Sequence, residues 1–553
     1  MPVIDQSNAN IARHLTRMAA AHPTQAALKI PRGRRRGKID YLALSFAELD
    51  AEVGAWCARL TAAGVRRGDR TLVMVRQGLP LIGAVFALFR LGAVPVVIDP
   101  GMGRKSFLAC VQRSLPRALV GIPSARFISH VFRQAFRTVE VRVPASSSLT
   151  ARLTPTAAPH AAPAVSAHNE LAAILFTSGS TGSPKGVCYE HGMLEAQVRL
   201  IRATYGIKPG EIDLPLLPIF ALFNPALGMT TIVPELDARR PGALDPAKIV
   251  QAIQQENVTN SFGSPTLWAK IASHCVAKNI ALPSVRRVLC AGAPVPASLW
   301  ADSLRFLPSG KLHSPYGATE ALPVTSVCAD EVDAASVRGA CVGGPVSETD
   351  IKIMTMTDAP VTNLVDACIQ PDGDIGEVIV CGPQVTKAYD GLPIANNHAK
   401  IRRHHDGDGH TDTGVWHRLG DCGYVDVHGR LWFCGRKAER VETRTGTLYT
   451  EPCEQVFRAH PRARRCALIG LGERPHQRPA IVVETRIANG ADAAKLAQEL
   501  ARLAREHDHT AGICTFFFRE QFPVDVRHNA KIHRLTLAQW AATADAYEVG
   551  PEG

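Results

Sequence analysis

The sequence predicts an α/β protein with a large N-terminal domain of layered α/β subdomains and a small α+β C-terminal module, on three observations. Short apolar strands alternate with amphipathic helices from the N-terminal region onward, the pattern of stacked α/β layers. A loop rich in glycine and hydroxyl residues, 177–186, follows directly on a buried apolar strand. A second group of strands with one long helix occupies the sequence after about residue 435. At 553 residues the chain exceeds what one core accommodates, so two or three domains are expected.

The elements follow in order. Residues 47–62 carry apolar positions at helical spacing, 71–76 form a strand, and AVPVVI at 93–98 is a buried strand. Residues 144–168, rich in Ala, Ser, Pro and Thr, are expected to be an exposed connector. LAAILF at 171–176 is the buried strand before the loop, and further α/β units run to about 435. Strands at 466–471 and 480–485 and a helix at 491–506 make up the C-terminal module.

Composition narrows the function classes. With 46% hydrophobic and 20% charged residues the chain is globular, neither disordered nor fibrous. Its fourteen cysteines include no CxxC pair and fall singly in apolar contexts, so reduced thiols in a cytoplasmic protein are expected, without a zinc finger. The longest apolar stretch, 79–89, is stopped by Arg90 and is too short to span a bilayer. The net charge of +12 favours anionic ligands and admits peripheral membrane contact. The densest basic run, Arg32, Arg34, Arg35, Arg36 and Lys38, reads as an exposed hairpin; without interleaved aromatics, nucleic-acid binding is not expected.

The most informative segment is TSGSTGSPKG, 177–186. Thr177, Ser178, Gly179, Ser180, Thr181 and Gly182, with Lys185, turn backbone N–H groups, hydroxyls and one ammonium toward a small volume suited to a polyphosphate. It is not a Walker loop, because Pro184 precedes Lys185 and Gly186 follows it.

This loop resembles the phosphate loop of the adenylate-forming superfamily of acyl-CoA synthetases, peptide-synthetase adenylation domains and luciferases. Four further motifs resemble the family's in the same order. Gly292, Ala293 and Pro294 look like the adenine-contacting turn, and SPYGATE at 314–320 like the central motif. The segment 420–437 resembles the ribose-binding strand and hinge approach, and Asn529-Ala530-Lys531 the C-terminal lysine loop, although Ala530 replaces the usual glycine. The resemblance implies an adenylation domain at 1–435, a hinge at 436–439 and a mobile lid at 440–553, with ATP and Mg²⁺ as cofactors.

The chemistry of these residue types agrees. Tyr316 offers a flat face for adenine beside Gly317, Thr319 a donor to phosphate oxygen, and Glu320 a hard oxygen ligand for Mg²⁺. Asp421 can accept both ribose hydroxyls, and Arg436 adds a fixed cation. When a carboxylate attacks the α-phosphate two anions meet, and Lys531 is the cation expected between them. His404 to His410 reads as a solvated loop rather than a metal site, and His191 as a packing residue.

Three departures suggest a subclass. Ala221 follows Phe220 where relatives often carry a histidine at the acyl entrance, Ala438 replaces the usual Asp or Lys of the hinge, and the loop near Gly446 is one residue longer. The segments PIFALFNPALG, GRKAERV and RHNAKIHRL resemble the β-lactone synthetases of bacterial long-chain olefin biosynthesis. That resemblance implies a 2-alkyl-3-hydroxy fatty acid substrate, contacts with other enzymes of that pathway, and alkyl pockets lined by Phe220, Ala221, Leu222, Phe223 and Leu227. A long-chain acyl-CoA or acyl-AMP ligase shares the first half-reaction and stands as the alternative. A catalytically dead nucleotide- or lipid-binding scaffold is opposed by the presence of Glu320, Asp421, Arg436 and Lys531.

Overall fold

Two β-sheets of unequal size organise the N-terminal part of the chain. The computed structural model describes residues 8–145, 162–177, 184–237, 240–332, 337–402, 414–524 and 531–550. The smaller sheet has six strands, in the spatial order Val141–Pro144, Ala118–Gly121, Arg70–Met74, Val94–Ile98, Leu171–Thr177 and Lys185–Glu190. All neighbours are parallel except the last pair, an antiparallel hairpin in which Thr177 pairs with Lys185. Period-two alternation sends Val73 and Ala173 into one hydrophobic cluster, and Leu72, Val96 and Ile174 into another on the opposite face.

The larger sheet has fourteen strands. Its centre places Lys311–Ala318 between Arg287–Cys290 and Ala321–Cys328, and toward one end Val415–Val425 pairs antiparallel with Leu431–Arg436. Helix Leu79–Leu91 lies buried between layers and is closed by Gly92 at φ +69°, a left-handed cap. The C-terminal part has a four-stranded sheet, Arg465–Leu471, Arg478–Glu484, Thr515–Arg519 and Tyr547–Glu548, with helices Thr450–Arg458, Gly490–Arg505 and Arg534–Ala541. It packs two cores of its own, one around Phe457 and Phe516 and one around Phe517 and Leu537. The α/β architecture with a large N-terminal and a smaller C-terminal domain is therefore as the sequence predicts.

The expected elements appear within about two residues, as Phe46–Ala62, Arg70–Met74, Val94–Ile98, Leu171–Thr177, Arg465–Leu471, Arg478–Glu484 and Gly490–Arg505. Residues 32–38 lie in the hairpin of Ala26–Arg35 and Lys38–Ser45 and are exposed. The connector needs correction at its ends: Ala145 and Ser166 are buried, and the Ser166 carbonyl accepts from Ala9 N at 2.9 Å. Backbone pairing with the N-terminal segment, invisible in composition, fixes that end; residues 146–161 lie outside the described residues. All fourteen cysteines are free thiols.

One buried ion pair anchors the strand that leads to the site. Arg287 grips Glu211 with Nη1–Oε2 at 2.5 Å and Nη2–Oε1 at 2.8 Å, and donates through Nε to the Tyr205 carbonyl at 2.7 Å. Arg287→Met would leave a buried carboxylate without its bidentate partner, and Arg286, 3.9 Å from Glu211, is too far to replace it. Urea unfolding of this variant is expected to show a loss of about 3 kcal/mol.

Candidate active site

A cavity of about 2300 Å³ lies where the ends of both sheets meet the C-terminal segment 531–534. Its wall includes Lys185, Tyr316, Glu320, Asp421, Arg436 and Lys531, drawn from motifs spread over some 350 residues. Gly292, Ala293, Pro294, Gly317 and Thr319 line it as well. Gly292 follows strand Arg287–Cys290 at φ +99°, a conformation that costs a side-chain-bearing residue strain. At Gly317 the backbone approach is the constraint: a Cβ would collide with the Ala321 carbonyl in the adjoining hairpin strand.

The expected ribose site is built by strand register. Asp421 and Arg436 face each other across their antiparallel pair, with Arg436 Nη1 2.7 Å from Asp421 Oδ1. The Tyr316 hydroxyl donates to Asp421 Oδ2 at 2.6 Å, so any ligand would share this carboxylate with Tyr316. Oδ1 is buried and receives no well-aligned hydrogen bond despite its nearness to Arg436, which leaves an acceptor for a hydroxyl at the cavity wall. Burial, then the Asp421 charge, pushes the Tyr316 phenol far above its ordinary range, so it stays a donor. Asp421 in turn raises the affinity of Arg436 for its proton.

The expected phosphate site is assembled from distant pieces. Lys185 is fixed by the Thr177–Lys185 pairing, while Ser178, Gly179, Ser180, Thr181 and Gly182 lie outside the described residues. The Lys185 ammonium sits 4.8 Å from the centre of the Tyr389 ring, whose hydroxyl donates to Glu320 Oε1 at 2.8 Å. The Tyr189 hydroxyl donates to the Thr319 carbonyl, and the Thr386 amide to the Glu320 carbonyl at 2.8 Å, so the turn carrying both residues is held from behind.

Lys400 joins this cluster. Its ammonium lies 5.5 Å from the Tyr389 ring centre and donates to the carbonyl of Thr386 and to its Oγ1. Burial, reinforced by the charge of Lys185 and opposed by that of Glu320, lowers the Lys400 pKa to about 7. His417, 6.4 Å from Tyr389 between ring centres, is held well below its usual value by burial and then by Lys400. Sequence reasoning missed Tyr189, Tyr389, Lys400 and His417. None belongs to a local motif, and only the fold brings them to Glu320.

Glu320 fits the role of a Mg²⁺ ligand. Its carboxylate lines the cavity, Tyr389 engages one oxygen, and no group of three or more metal-ligating side chains occurs among the described residues. A single carboxylate completed by ligand phosphates and water is the usual Mg²⁺ arrangement.

The segment after Arg436 is gripped from both sides. Lys437 Nζ lies 3.0 Å from Glu377 Oε2 and 3.3 Å from Asp358 Oδ1, and Arg440 Nη2 lies 3.4 Å from Asp358 Oδ2. From the C-terminal side, Arg474 donates to the carbonyls of Ala438 and Arg440, both at 2.7 Å. Arg534, three residues beyond Lys531, pairs with Glu439 at 3.0 Å and bidentately with Glu454 at 2.7 Å. Lys531 is exposed at the cavity margin, and Asn529 and Ala530 lie outside the described residues.

Phe220, Leu222 and Phe223 line the apolar wall, with Phe220 stacked on Phe262 at 3.6 Å between ring centres. Ala221 and Leu227 do not: Ala221, in the short helical turn Pro218–Leu222, and Leu227, at the end of the next turn Asn224–Leu227, are both buried in the adjoining core. His191 is buried against Phe89, as a packing residue should be. Residues 404–410 lie outside the described residues.

Comparison with known proteins adds four findings. A model of the family described as AMP-binding enzyme matches residues 15–390. The chain is 42% identical to the olefin β-lactone synthetase of Xanthomonas campestris pv. campestris, over 96% of this chain and 97% of that one. It is equally 42% identical to the olefin β-lactone synthetase of Stenotrophomonas maltophilia, over 96% and 98% of the two chains. Among solved structures, an amide bond synthetase from Marinactinospora thermotolerans matches with a TM-score of 0.76 over 96% and 99% of the two chains; at 21% identity the likeness is one of fold.

The depressed pKa of Lys400 has a consequence for stability. Below about pH 7 the lysine is charged in both the folded and the unfolded chain, and the cost of burying that charge is present in full. Above it the folded chain binds one proton fewer, so this cost falls as pH rises toward the ordinary lysine pKa. The stability of wild type relative to Lys400→Met is expected to be flat below pH 6.5. Between pH 7 and 9.5 it should rise by up to about 1.4 kcal/mol per pH unit in denaturant titrations.

Proposed function

Because the chain belongs to the AMP-binding enzymes, we propose that it uses ATP and Mg²⁺ to activate a 2-alkyl-3-hydroxy fatty acid and closes it to a β-lactone. The observation that carries the first half-reaction is the convergence of Lys185, Glu320, Asp421, Arg436 and Lys531 on one cavity. The choice of acid rests on the sequence likeness to olefin β-lactone synthetases over nearly the full length.

In this reading adenine lies between the 292–294 turn and Tyr316, and a ribose hydroxyl donates to Asp421 Oδ1. Lys185 and the 177–186 loop hold the phosphates, with Thr319 as a further donor. Mg²⁺ on Glu320 would neutralise phosphate charge and orient the leaving group. The carboxylate oxygen attacks the α-phosphorus, the bond to pyrophosphate breaks, and Lys531 stabilises the charge where the two anions meet. The 3-hydroxyl oxygen then attacks the acyl carbon and loses its proton as AMP departs.

Holding nucleophile and carbonyl in one molecule supplies an effective concentration worth about 7 kcal/mol or more in favourable cases, which offsets ring strain. Phe220, Leu222 and Phe223 supply apolar wall for an alkyl chain. No helix among the described residues is long and apolar enough to cross a membrane, and fourteen free thiols suit a reducing compartment, so a cytoplasmic enzyme is part of the proposal.

Two experiments test it. Lys531→Ala and Glu320→Ala are each expected to slow ATP–pyrophosphate exchange by about 100-fold or more; wild-type exchange in either would remove that residue from the mechanism. Mass spectrometry of products from ATP and a 2-alkyl-3-hydroxy acid, with and without CoA, should find β-lactone and AMP in both cases. Efficient acyl-CoA formation from a plain fatty acid, with no lactone from the hydroxy acid, would replace this reading by a CoA ligase.

A further inference from the structure

The sequence from 100 to 139 contains Arg104, Lys105, Arg113, Arg117, Arg126, Arg133 and Arg137, and no Asp or Glu. Two of these cations are used locally. Arg113 donates to the Pro184 carbonyl at 2.6 Å, and Arg117 bridges Asp69 and Glu140. Arg104, Lys105, Arg133 and Arg137 are exposed and form no ion pair among the described residues.

The same stretch exposes apolar side chains. Phe127 and Val131, one turn apart on helix Pro123–Val131, are 70% and 55% exposed. The same helix also borders the cavity: Ala125 and Ile128 form part of its wall, and so does Ser124, which lies on the side of Phe127 and Val131. Helix Arg104–Ser114 packs into the same hydrophobic cluster as Ile128 through Phe107 and Val111, and so covers the same face of the six-stranded sheet. One nine-residue helix thus separates the cavity from a surface that is both apolar and cationic.

The basic hairpin at 32–38 shares the exposed cations, in Arg35, Arg36 and Lys38, but not the apolar side chains. Arg32 pairs with Asp40 and Arg34 with Glu235, both at 2.8 Å, and no large hydrophobic residue is exposed beside them. Exposed Phe and Val followed closely by the exposed cations Arg133 and Arg137, by contrast, complement an anionic lipid surface, with the ring at headgroup depth and the charges against phosphate.

We propose that helix Pro123–Val131 and the turn after it, which carries Arg133 and Arg137, form the surface by which this enzyme docks on an anionic bilayer, with helix Arg104–Ser114 on the same sheet face, admitting its long-chain acid to the cavity past Ile128. The docking gives the location of the contact that the chain's basic character admits, and it rests on the long-chain substrate of the preceding section. It accounts for apolar groups left in water at one wall of a lipid-handling cavity, and for the absence of acids over forty residues.

The test uses the intact enzyme with vesicles of phosphatidylcholine, alone or with phosphatidylglycerol, in a sedimentation assay. Wild type should bind the anionic vesicles, lose binding in high salt, and bind the neutral ones weakly. Each cation removed should weaken partitioning about fivefold, so Arg133→Glu/Arg137→Glu should weaken it by about 25-fold or more. Phe127→Glu should also abolish most binding, while Arg35→Glu/Arg36→Glu should leave it unchanged. All variants should retain wild-type turnover of a short, water-soluble 2-alkyl-3-hydroxy acid, but the 127 and 133/137 variants should turn over a long-chain acid embedded in vesicles more slowly. Absence of wild-type binding, binding indifferent to these changes, or variants that lose only a protein partner while keeping vesicle binding would overturn the proposal. If the short acid is not lactonised at all, the functional reading fails, and the sedimentation arms still decide the docking surface.

Discussion

The contact between Asp421 and Arg436 is the one on which both parts of the protein depend. It is made by strand register, since the two residues oppose each other in the antiparallel pair of Val415–Val425 and Leu431–Arg436. On one side it receives Tyr316, and so fixes the 314–320 segment against the Asp421 carboxylate at the cavity wall. On the other, Arg436 ends its strand, and the next residues are those through which the C-terminal domain is attached. A buried carboxylate deprived of its cation costs several kcal/mol. Loss of the pair would therefore disturb the nucleotide site and the domain junction together.

Around the phosphate site the governing constraint is charge of one sign. Lys185 and Lys400 both lie against one tyrosine ring, and Glu320 is the acid bonded to that ring's hydroxyl. The lowered pKa of Lys400 expresses first the cost of burying its charge, with Glu320 offsetting part of it and Lys185 adding a smaller share. In the proposed function an entering polyphosphate would supply the missing negative charge. The arrangement that is uncomfortable without a ligand thus has the sign that nucleotide binding requires, and Tyr389 keeps the Glu320 carboxylate from collapsing onto either lysine.

Much of this was legible in the sequence, for reasons that are local. The strand at 171–176 and the Gly/Ser loop after it are adjacent in the chain, so composition and order disclose them, as they do the C-terminal strands and helix. Tyr389, Lys400 and His417 were not legible, because each meets Glu320 or its neighbours only through sheet packing across 69 residues or more. Asp421 was identified as a ligand-facing acid, but its sharing with Tyr316 depends on where the strand carrying Tyr316 comes to lie. Ala221 failed for the opposite reason. A motif gives a position, and the single turn of helix there decides which of its side chains reach the cavity.

The junction shows how a lost side chain can matter less than the sequence suggests. Ala438 has no polar group to take part in two alternative domain orientations, yet its carbonyl is held by Arg474, and its neighbours Lys437, Glu439 and Arg440 are each ion-paired. Lys437 and Arg440 reach back to the N-terminal domain, whereas Glu439 reaches Arg534, beyond Lys531 in the C-terminal domain. The segment therefore fixes the position of Lys531 relative to the cavity through several partly buried contacts rather than one switchable side chain. Rotation of the C-terminal domain about this segment would have to break contacts to Glu377 and Asp358, with Lys437 losing most, since Arg440 keeps Glu442 and Glu377 keeps Arg418. An enzyme that must open a path for a second, external nucleophile would bear that cost in every turnover. One whose nucleophile is already on the bound acid need only hold Lys531 in place while the adenylate forms, and then let the ring close.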